Sequence, residues 1–233
     1  MTPEPQTVDL ADTSVRDLNA ALHALSPDTN MTAWRVLNPG GRHALAAGLL
    51  APVTVEIMGH AGYYCAGMNQ MATVVVHGNA GTGVAENMMS GRVEVRGDAS
   101  QSAGASAHGG LLLIGGNAGA RCGISLKGAD IVVKGSVGHM SAFMAQAGTL
   151  VVLGDAGDSF GDSIYEAHLY VRGHVANLGT DCVEKPMRDA NRAELFAKLA
   201  AAGLAGEVDV GAFRRYGSSR LLYQFHVDHA AAY

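Results

Sequence analysis

Ten histidines, a residue type that often binds metals, occur in the chain, and six of them lie in its central part. Their spacings are irregular, apart from the first and the last of the six, which occupy equivalent places in the repeat described below. The six are His60, His77, His108, His139, His168 and His174. Because a metal site needs several ligands that converge, we predict no metal ligand and interpret these histidines as hydrogen-bonded surface residues.

Carboxylates that could serve acid–base catalysis are also scattered. Glu56 and Glu94 fall on the outward face of predicted strands, whereas Asp158, Asp162 and Glu166 lie together in the sixth repeat. That group could bind a cation or a basic partner, but a solvated edge is the simpler interpretation. No Ser/His/Asp spacing or nucleophile elbow is present, so we predict no catalytic residue.

The glycine-rich segment 78–83 looks like a phosphate-binding loop, but no helix follows it to supply the anion site, and we predict no cofactor-binding residue. The cysteines Cys65, Cys122 and Cys182 form no CxxC pair, which argues against a zinc finger or a disulfide framework. Cys65 and Cys122 lie three repeat periods apart, about 14 Å in a stack of strands, so we predict buried free thiols.

An internal repeat positions all these residues. Seven glycines recur every 19 residues without insertion, at Gly59, Gly78, Gly97, Gly116, Gly135, Gly154 and Gly173. An aliphatic residue stands four residues before each glycine and another stands two residues before it, such as Val55 and Ile57 in the first repeat. Aliphatic residues at alternate positions predict a short strand with one buried face. A polar residue and usually another glycine follow, which predicts a corner where glycine supplies positive φ.

A unit of 19 residues is too short for a βαβ crossover, and identical units pair best in parallel, rung above rung. The sequence therefore predicts an all-β fold, a right-handed parallel β-helix of seven or more rungs, each with one clear strand and a weaker second strand. Helical segments are predicted at both ends, at 13–25 and 187–204, and a final strand at 221–227. We expect these end segments to cover the exposed strand edges of the β-helix.

We divide the chain into an N-terminal helix and capping segment (1–50), the β-helix (51–182) and a C-terminal helix and tail (183–233). Its 48% hydrophobic and 16% charged residues exclude a disordered chain. A formal charge of -5 and the lack of a Lys/Arg cluster in the sequence argue against nucleic acid or an anionic membrane as partner. No apolar run is long enough for a membrane span or resembles a secretory signal, so we expect a cytoplasmic protein.

Methionine and aromatic residues gather in the second half of several repeats. Because the interior of a β-helix is narrow, we expect some of them to fill the core and others to form an apolar surface for a partner protein. The candidate interface residues are Tyr63, Tyr64, Asn87, Met88, Met89 and Phe143.

Several repeat segments resemble the GXGXG β-helix domain, which closes the large subunit of glutamate synthase and also forms a subunit of formylmethanofuran dehydrogenase and its formyltransferase/hydrolase relatives. These segments are Gly-Asn-Ala-Gly-Ala-Arg-Cys-Gly (116–123), Val-Gly-His-Met-Ser-Ala-Phe-Met (137–144) and 151–160. Along nearly its whole length the chain also resembles the GlxC-type subunits of N-methylglutamate synthase. Segments 59–69, 81–91 and 214–225 carry that likeness.

The resemblance implies a non-catalytic structural subunit of a glutamate-synthase-like flavoenzyme complex that converts L-glutamate and methylamine to N-methyl-L-glutamate and ammonia. The implied partners are a glutamine-amidotransferase-like subunit and a synthase subunit that holds FMN and an iron–sulfur cluster, with no cofactor on this chain. The alternative is a β-helix subunit of a formylmethanofuran dehydrogenase-like or formyltransferase/hydrolase complex. A free-standing β-helix enzyme acting on polysaccharide fits the scattered acidic residues less well.

Overall fold

The computed structural model describes residues 4–220, in which one sheet of eleven strands follows the chain almost from end to end. The strands are β1 (Gln6–Asp9), β2 (Ala33–Leu37), β3 (Thr54–Ile57), β4 (Thr73–Val76), β5 (Arg92–Val95), β6 (Leu111–Ile114), β7 (Lys127–Val133), β8 (Ala147–Val152), β9 (His168–Val171), β10 (Cys182–Lys185) and β11 (Arg214–Ser218). The helices are α1 (Val15–His23), α2 (Asp189–Ala201) and a short 3-10 helix, Val210–Ala212. Neither α-helix is long and apolar enough to cross a membrane.

Strands β2 to β9 pair in parallel, and each begins one rung of the predicted right-handed parallel β-helix. From β3 to β9 the paired residues lie one repeat apart, as where Val55 pairs with Val74 and Val74 with Val93. The exception is at the start of β7, where the register shifts and Lys127 pairs with Ala147. The β2 rung is irregular, since Trp34 pairs with Val55, 21 positions on. The repeat spacing therefore predicted both the position and the register of the seven regular strands.

The second half of each rung is not the weaker strand that the sequence led us to expect. It carries isolated bridges, such as that between Ala61 and Ala80, and its backbone repeatedly enters the left-handed region. In the β4 rung, Gly83, Ala85 and Asn87 have φ values of 73°, 56° and 55°. The N–H groups of Gly83 and Asn87 donate to carbonyl oxygens of the next rung, and that of Ala85 donates to a carbonyl oxygen of the previous rung. The second half-rung is therefore hydrogen-bonded to both neighbours although its backbone is not extended.

With this backbone, inward and outward residues do not alternate regularly. In the β3 rung, Cys65 and Ala66 are fully buried, Met68 is exposed, and Asn69 is fully buried again. The interior position of Ala66 is occupied by a small residue in the next five rungs: Ala85, Gly104, Gly123, Ala142 and Gly161. Small residues are needed there because the chain passes close to the aliphatic side chains of the opposite strands.

Helix α1, the predicted N-terminal helix, covers the first rung. Its Leu18 and Leu22 are buried in the core of the β-helix. The side-chain amide of Asn19 donates to the carbonyl of Ala44 at 2.8 Å and accepts from the N–H of Ala46 at 3.0 Å. This amide thereby supplies the hydrogen bonds that a preceding rung would otherwise make, as expected for a cap.

Helix α2 confirms the predicted C-terminal helix, but it lies across the outer face of the sheet instead of closing its end. The end is closed by β11, which pairs antiparallel with β9, and by β10, which pairs with β11. Where α2 covers the sheet, outward strand residues are apolar and pack against it. The sheet contributes Leu113, Val132, Val151 and Tyr170 to this cluster. Helix α2 contributes Leu195 and Leu199, and Phe213 joins them from the segment after the helix. The strand predicted at 221–227 lies outside the described residues.

Polar contacts also hold α2 to the sheet. The hydroxyl of Tyr170 donates to Glu194 Oε2 at 2.5 Å, and His168 Nδ1 lies 2.8 Å from the same oxygen. Lys198 forms an ion pair with Asp130 at 2.9 Å. Burial alone would raise the pKa of Glu194, but the hydrogen bonds to Tyr170 and His168 outweigh it and hold the pKa below its ordinary value.

Substitution Glu194→Gln should lower the free energy of unfolding by about 1 kcal/mol at pH 7. A carboxyl group whose pKa is depressed by folding stabilises above its unfolded pKa and loses that contribution as the pH falls through its folded pKa. The difference between variant and wild type, measured by urea unfolding, should therefore shrink between pH 5 and pH 3. The matched control is Glu207→Gln, an exposed carboxylate, and an equal deficit at both pH values would contradict the assignment.

Candidate partner interface

The seven repeat glycines stack at one corner of the β-helix. The sequence led us to expect positive φ at this corner, but among the seven only Gly59, at φ 148°, is in that region. The other six are required by close approach between rungs. A Cβ added to Gly135, for example, would lie 2.7 Å from the carbonyl oxygen of Gly116. Contact between successive backbones, and not local turn conformation, therefore explains the glycine at this position.

The residue after each of these glycines forms what we call the polar ladder. The first six of its seven side chains each accept a hydrogen bond from the backbone N–H of the equivalent residue in the next rung, at 2.7 to 3.0 Å. The accepting atoms are His60 Nδ1, Asn79 Oδ1, Asp98 Oδ1, Asn117 Oδ1, Ser136 Oγ and Asp155 Oδ1. These side chains therefore connect successive rungs and have a structural role.

The acidic group of the β8 rung does not form a single site. Asp158 accepts from Asn177 Nδ2 at 2.8 Å, Asp162 accepts from Ser163 Oγ at 2.7 Å, and Glu166 lies on the wall of a separate cleft. Within residues 4–220, no three His, Cys, Asp or Glu side chains are grouped so that they could hold a metal ion.

All three cysteines are buried and unpaired, which confirms the prediction of free thiols. Burial raises the pKa of the Cys65 and Cys122 thiols to about 12. Burial, with the nearby Asp162 carboxylate, also raises the pKa of Cys182 to about 12. Since the thiolate is the reactive and metal-binding form, these thiols are unsuited to nucleophilic or redox chemistry near neutral pH.

Most of the predicted interface residues reach the surface. Tyr63 is 60% exposed, and its ring stacks on the ring of His43 with centroids 4.5 Å apart. Met89 is 46% exposed. Tyr64, Asn87 and Phe143 are partly exposed.

Met88 was wrongly placed in the predicted interface, because its side chain is fully buried. It occupies the interior position that Asn69 fills one rung earlier and Leu126 fills two rungs later, and both of these are fully buried as well. Ala85 and Met88 are buried, whereas the residues between them are partly exposed and Met89 is exposed, so the side chains of this half-rung do not alternate. An alternation continued from Ala85 would instead have placed Met88 outward.

Exposed apolar side chains form a patch on the first rungs. The apolar patch consists of Leu50, Met68, Met71 and Met89, which are 46% exposed or more. Hydrogen bonds between rungs bring these segments side by side: the N–H of Gln70 donates to Leu49 O at 2.9 Å, and that of Met89 donates to Asn69 O at 2.8 Å. Leu50 was missed in the sequence because it precedes the first regular repeat.

No family model matches the chain. A curated relative does: Protein GlxC of Rhizobium meliloti (strain 1021) is 58% identical over 226 residues, which cover 97% of this chain and 99% of that protein. Identity of that extent over both whole chains means that the two proteins share the β-helix and its caps alike. This chain belongs to the GlxC family.

Proposed function

We propose that this chain is a non-catalytic structural subunit of a glutamate-synthase-like flavoenzyme complex in the cytoplasm. The reaction we propose for the complex is that of N-methylglutamate synthase, in which L-glutamate and methylamine give N-methyl-L-glutamate and ammonia. The proposal is supported by membership of the GlxC family and by the resemblance of the repeats to the GXGXG domain. The partners would be a glutamine-amidotransferase-like subunit and a synthase subunit that binds FMN and an iron–sulfur cluster.

The observation that carries the proposal is the exposed apolar surface of the first rungs. Ten large hydrophobic residues are exposed in the described part of the chain, and six of them fall between residues 50 and 89. Apolar side chains exposed on neighbouring rungs cost free energy in water, and their concentration is typical of protein interfaces. Methionine and tyrosine, which dominate here, are residue types enriched at such interfaces.

The cysteines of this chain do not fit an iron–sulfur cluster. A cluster needs cysteine thiolates that converge on it, usually four. Cys65 and Cys122 lie three rungs apart, about 14 Å, inside the β-helix, and burial keeps both thiols protonated. A cluster in the complex would therefore be bound by another subunit, as the proposal requires.

Substitution of Met68 and Met89 together by glutamate should weaken the association of this chain with its neighbouring subunits by about 100-fold, because charges would be buried in the interface. The measurement is the yield of the complex after co-expression, with its mass from light scattering and its N-methylglutamate synthase activity. The matched control is Phe196→Glu, which places the same charge at a residue of α2 that is 52% exposed and lies outside the apolar patch. It should leave the association unchanged.

The proposal fails if the wild-type chain elutes alone while the other subunits form a fully active flavoenzyme without it. Co-purification with a pterin formyltransferase, and not with a flavin synthase, would favour the formyltransferase/hydrolase type of complex instead. Loss of association in Phe196→Glu and not in the double variant would place the interface on α2.

A further inference from the structure

A cleft of about 740 Å³ opens between the start of α2, the end strands β10 and β11, and residues 165–168. Four basic residues line it, and we call it the cationic cleft. They are Lys185, Arg188, Arg215 and Arg220. These residues are not clustered in the sequence, and they come together only because β11 returns to pair with β10 beside α2.

The positive charges of Lys185 and Arg215 lie side by side, and neither is neutralised by an ion pair within residues 4–220. Lys185 and Arg215 are direct partners in the antiparallel β10–β11 pair, so their side chains leave the same face of the sheet. Like charges in such a pair are destabilising. In the part of the chain that the structure describes, the buried Nε of Arg215 also has no hydrogen-bond partner.

The remaining walls leave the cleft positive. Glu166 is the one carboxylate that lines it, and Arg220 pairs with Asp181. Arg188 occupies the N-cap of α2, where the helix dipole adds positive potential and favours a bound anion over a guanidinium. Among the residues that line the cleft, the charges of Lys185, Arg188 and Arg215 therefore exceed that of Glu166.

We propose that the cationic cleft binds a small organic anion that carries carboxylate or phosphate groups. Guanidinium groups bind both kinds of oxyanion through paired hydrogen bonds. An anion placed between Lys185 and Arg215 replaces their mutual repulsion with two attractions. The volume of the cleft lies within the range of small-molecule sites. This site goes beyond the scaffold function, since it lies on the last rungs and the apolar patch lies on the first.

Calorimetric titration of the full chain with citrate, and separately with pyrophosphate, tests the proposal. At low ionic strength we expect at least one of the two to bind with a Kd below about 1 mM. Lys185→Gln and Arg215→Gln should each weaken that binding about tenfold. Lys134→Gln, which removes an exposed lysine from another rung, should leave it unchanged. Citrate binding alone indicates a polycarboxylate ligand, and pyrophosphate binding alone indicates a phosphorylated one.

Thermal unfolding gives a second readout that a merely structural lysine would not produce. Without an added anion, Lys185→Gln should melt no lower than the wild type, because it removes a like-charge pair. With a saturating anion, the wild type should gain stability and the variant should gain little. The proposal is overturned if neither anion binds the wild type with a Kd below about 1 mM, if Lys185→Gln binds as tightly as the wild type, or if only an acidic peptide binds.

Discussion

Replacing Gly135 with alanine should lower the free energy of unfolding by about 3 kcal/mol. The added Cβ would lie 2.7 Å from Gly116 O and 2.9 Å from Gly116 C, and it would also strike the Asn117 side chain. Backbone atoms cannot rotate away, so the two rungs must separate. That separation weakens the bond from Gly135 N–H to Gly116 O, at 2.9 Å, and the bond from Ser136 N–H to Asn117 Oδ1.

Urea unfolding followed by circular dichroism measures this effect. The matched control is Gly217→Ala in β11, where the nearest atom to an added Cβ is Lys185 Cγ at 3.7 Å, an ordinary van der Waals distance. We expect that control to change stability by no more than about 0.5 kcal/mol. Equal losses in the two variants would show that close approach between rungs is not the reason for glycine at the corner.

Replacing the buried Asn69 with leucine should cost about 2–4 kcal/mol. Its amide nitrogen donates to Ala72 O at 2.8 Å and to Ser90 O at 3.2 Å, and its amide oxygen accepts from the N–H of Ala72 at 3.3 Å. Leucine is similar in size but can make none of these bonds. Backbone groups at the turn into β4 would therefore remain buried without their partners.

The control for this substitution is Met88→Leu, at the equivalent interior position of the next rung, which should cost less than about 1.5 kcal/mol. Asn69 lies beneath the apolar patch, between Met68 and Met71, so Asn69→Leu should also reduce the yield of the co-expressed complex. A variant as stable as Met88→Leu would contradict the structural role of the Asn69 amide.

Much of the apolar patch could not be assigned from the sequence because the side chains of the second half-rung do not alternate. Positive φ at Tyr64, Ala66 and Met68 sets which side chains point outward, and most residue types avoid that conformation, so their identity does not indicate it. Local preference predicted neither this geometry nor the burial of Met88. Hydrogen bonding between rungs imposes it, since every rung repeats the conformation of the one before.

For the outer face of the sheet, the residue types at outward positions did indicate which strands are covered. Outward residues of the first regular strands include Glu56 and Glu94, whereas Leu113, Val132 and Val151 at the same position in later strands are buried. An apolar residue at an outward position predicts that something covers it. The sequence does not indicate which segment covers this face. Helix α2 lies far along the chain from the strands that it covers, and packing alone decides where it lies.

By itself, the sequence determined the repeat, the parallel β-helix, the register of its strands and the burial of its thiols. These follow from a fixed spacing, because residues one period apart must stack and share an environment. Only the tertiary structure decided where α2 lies, which half-rung residues form the apolar patch, and that Lys185, Arg188, Arg215 and Arg220 line one cleft. The place of α2 and the lining of the cleft depend on segments outside the repeat, where contacts between distant residues decide position. Most of the apolar patch lies within the repeat, but the non-alternating backbone of the half-rung decides which of its side chains are exposed.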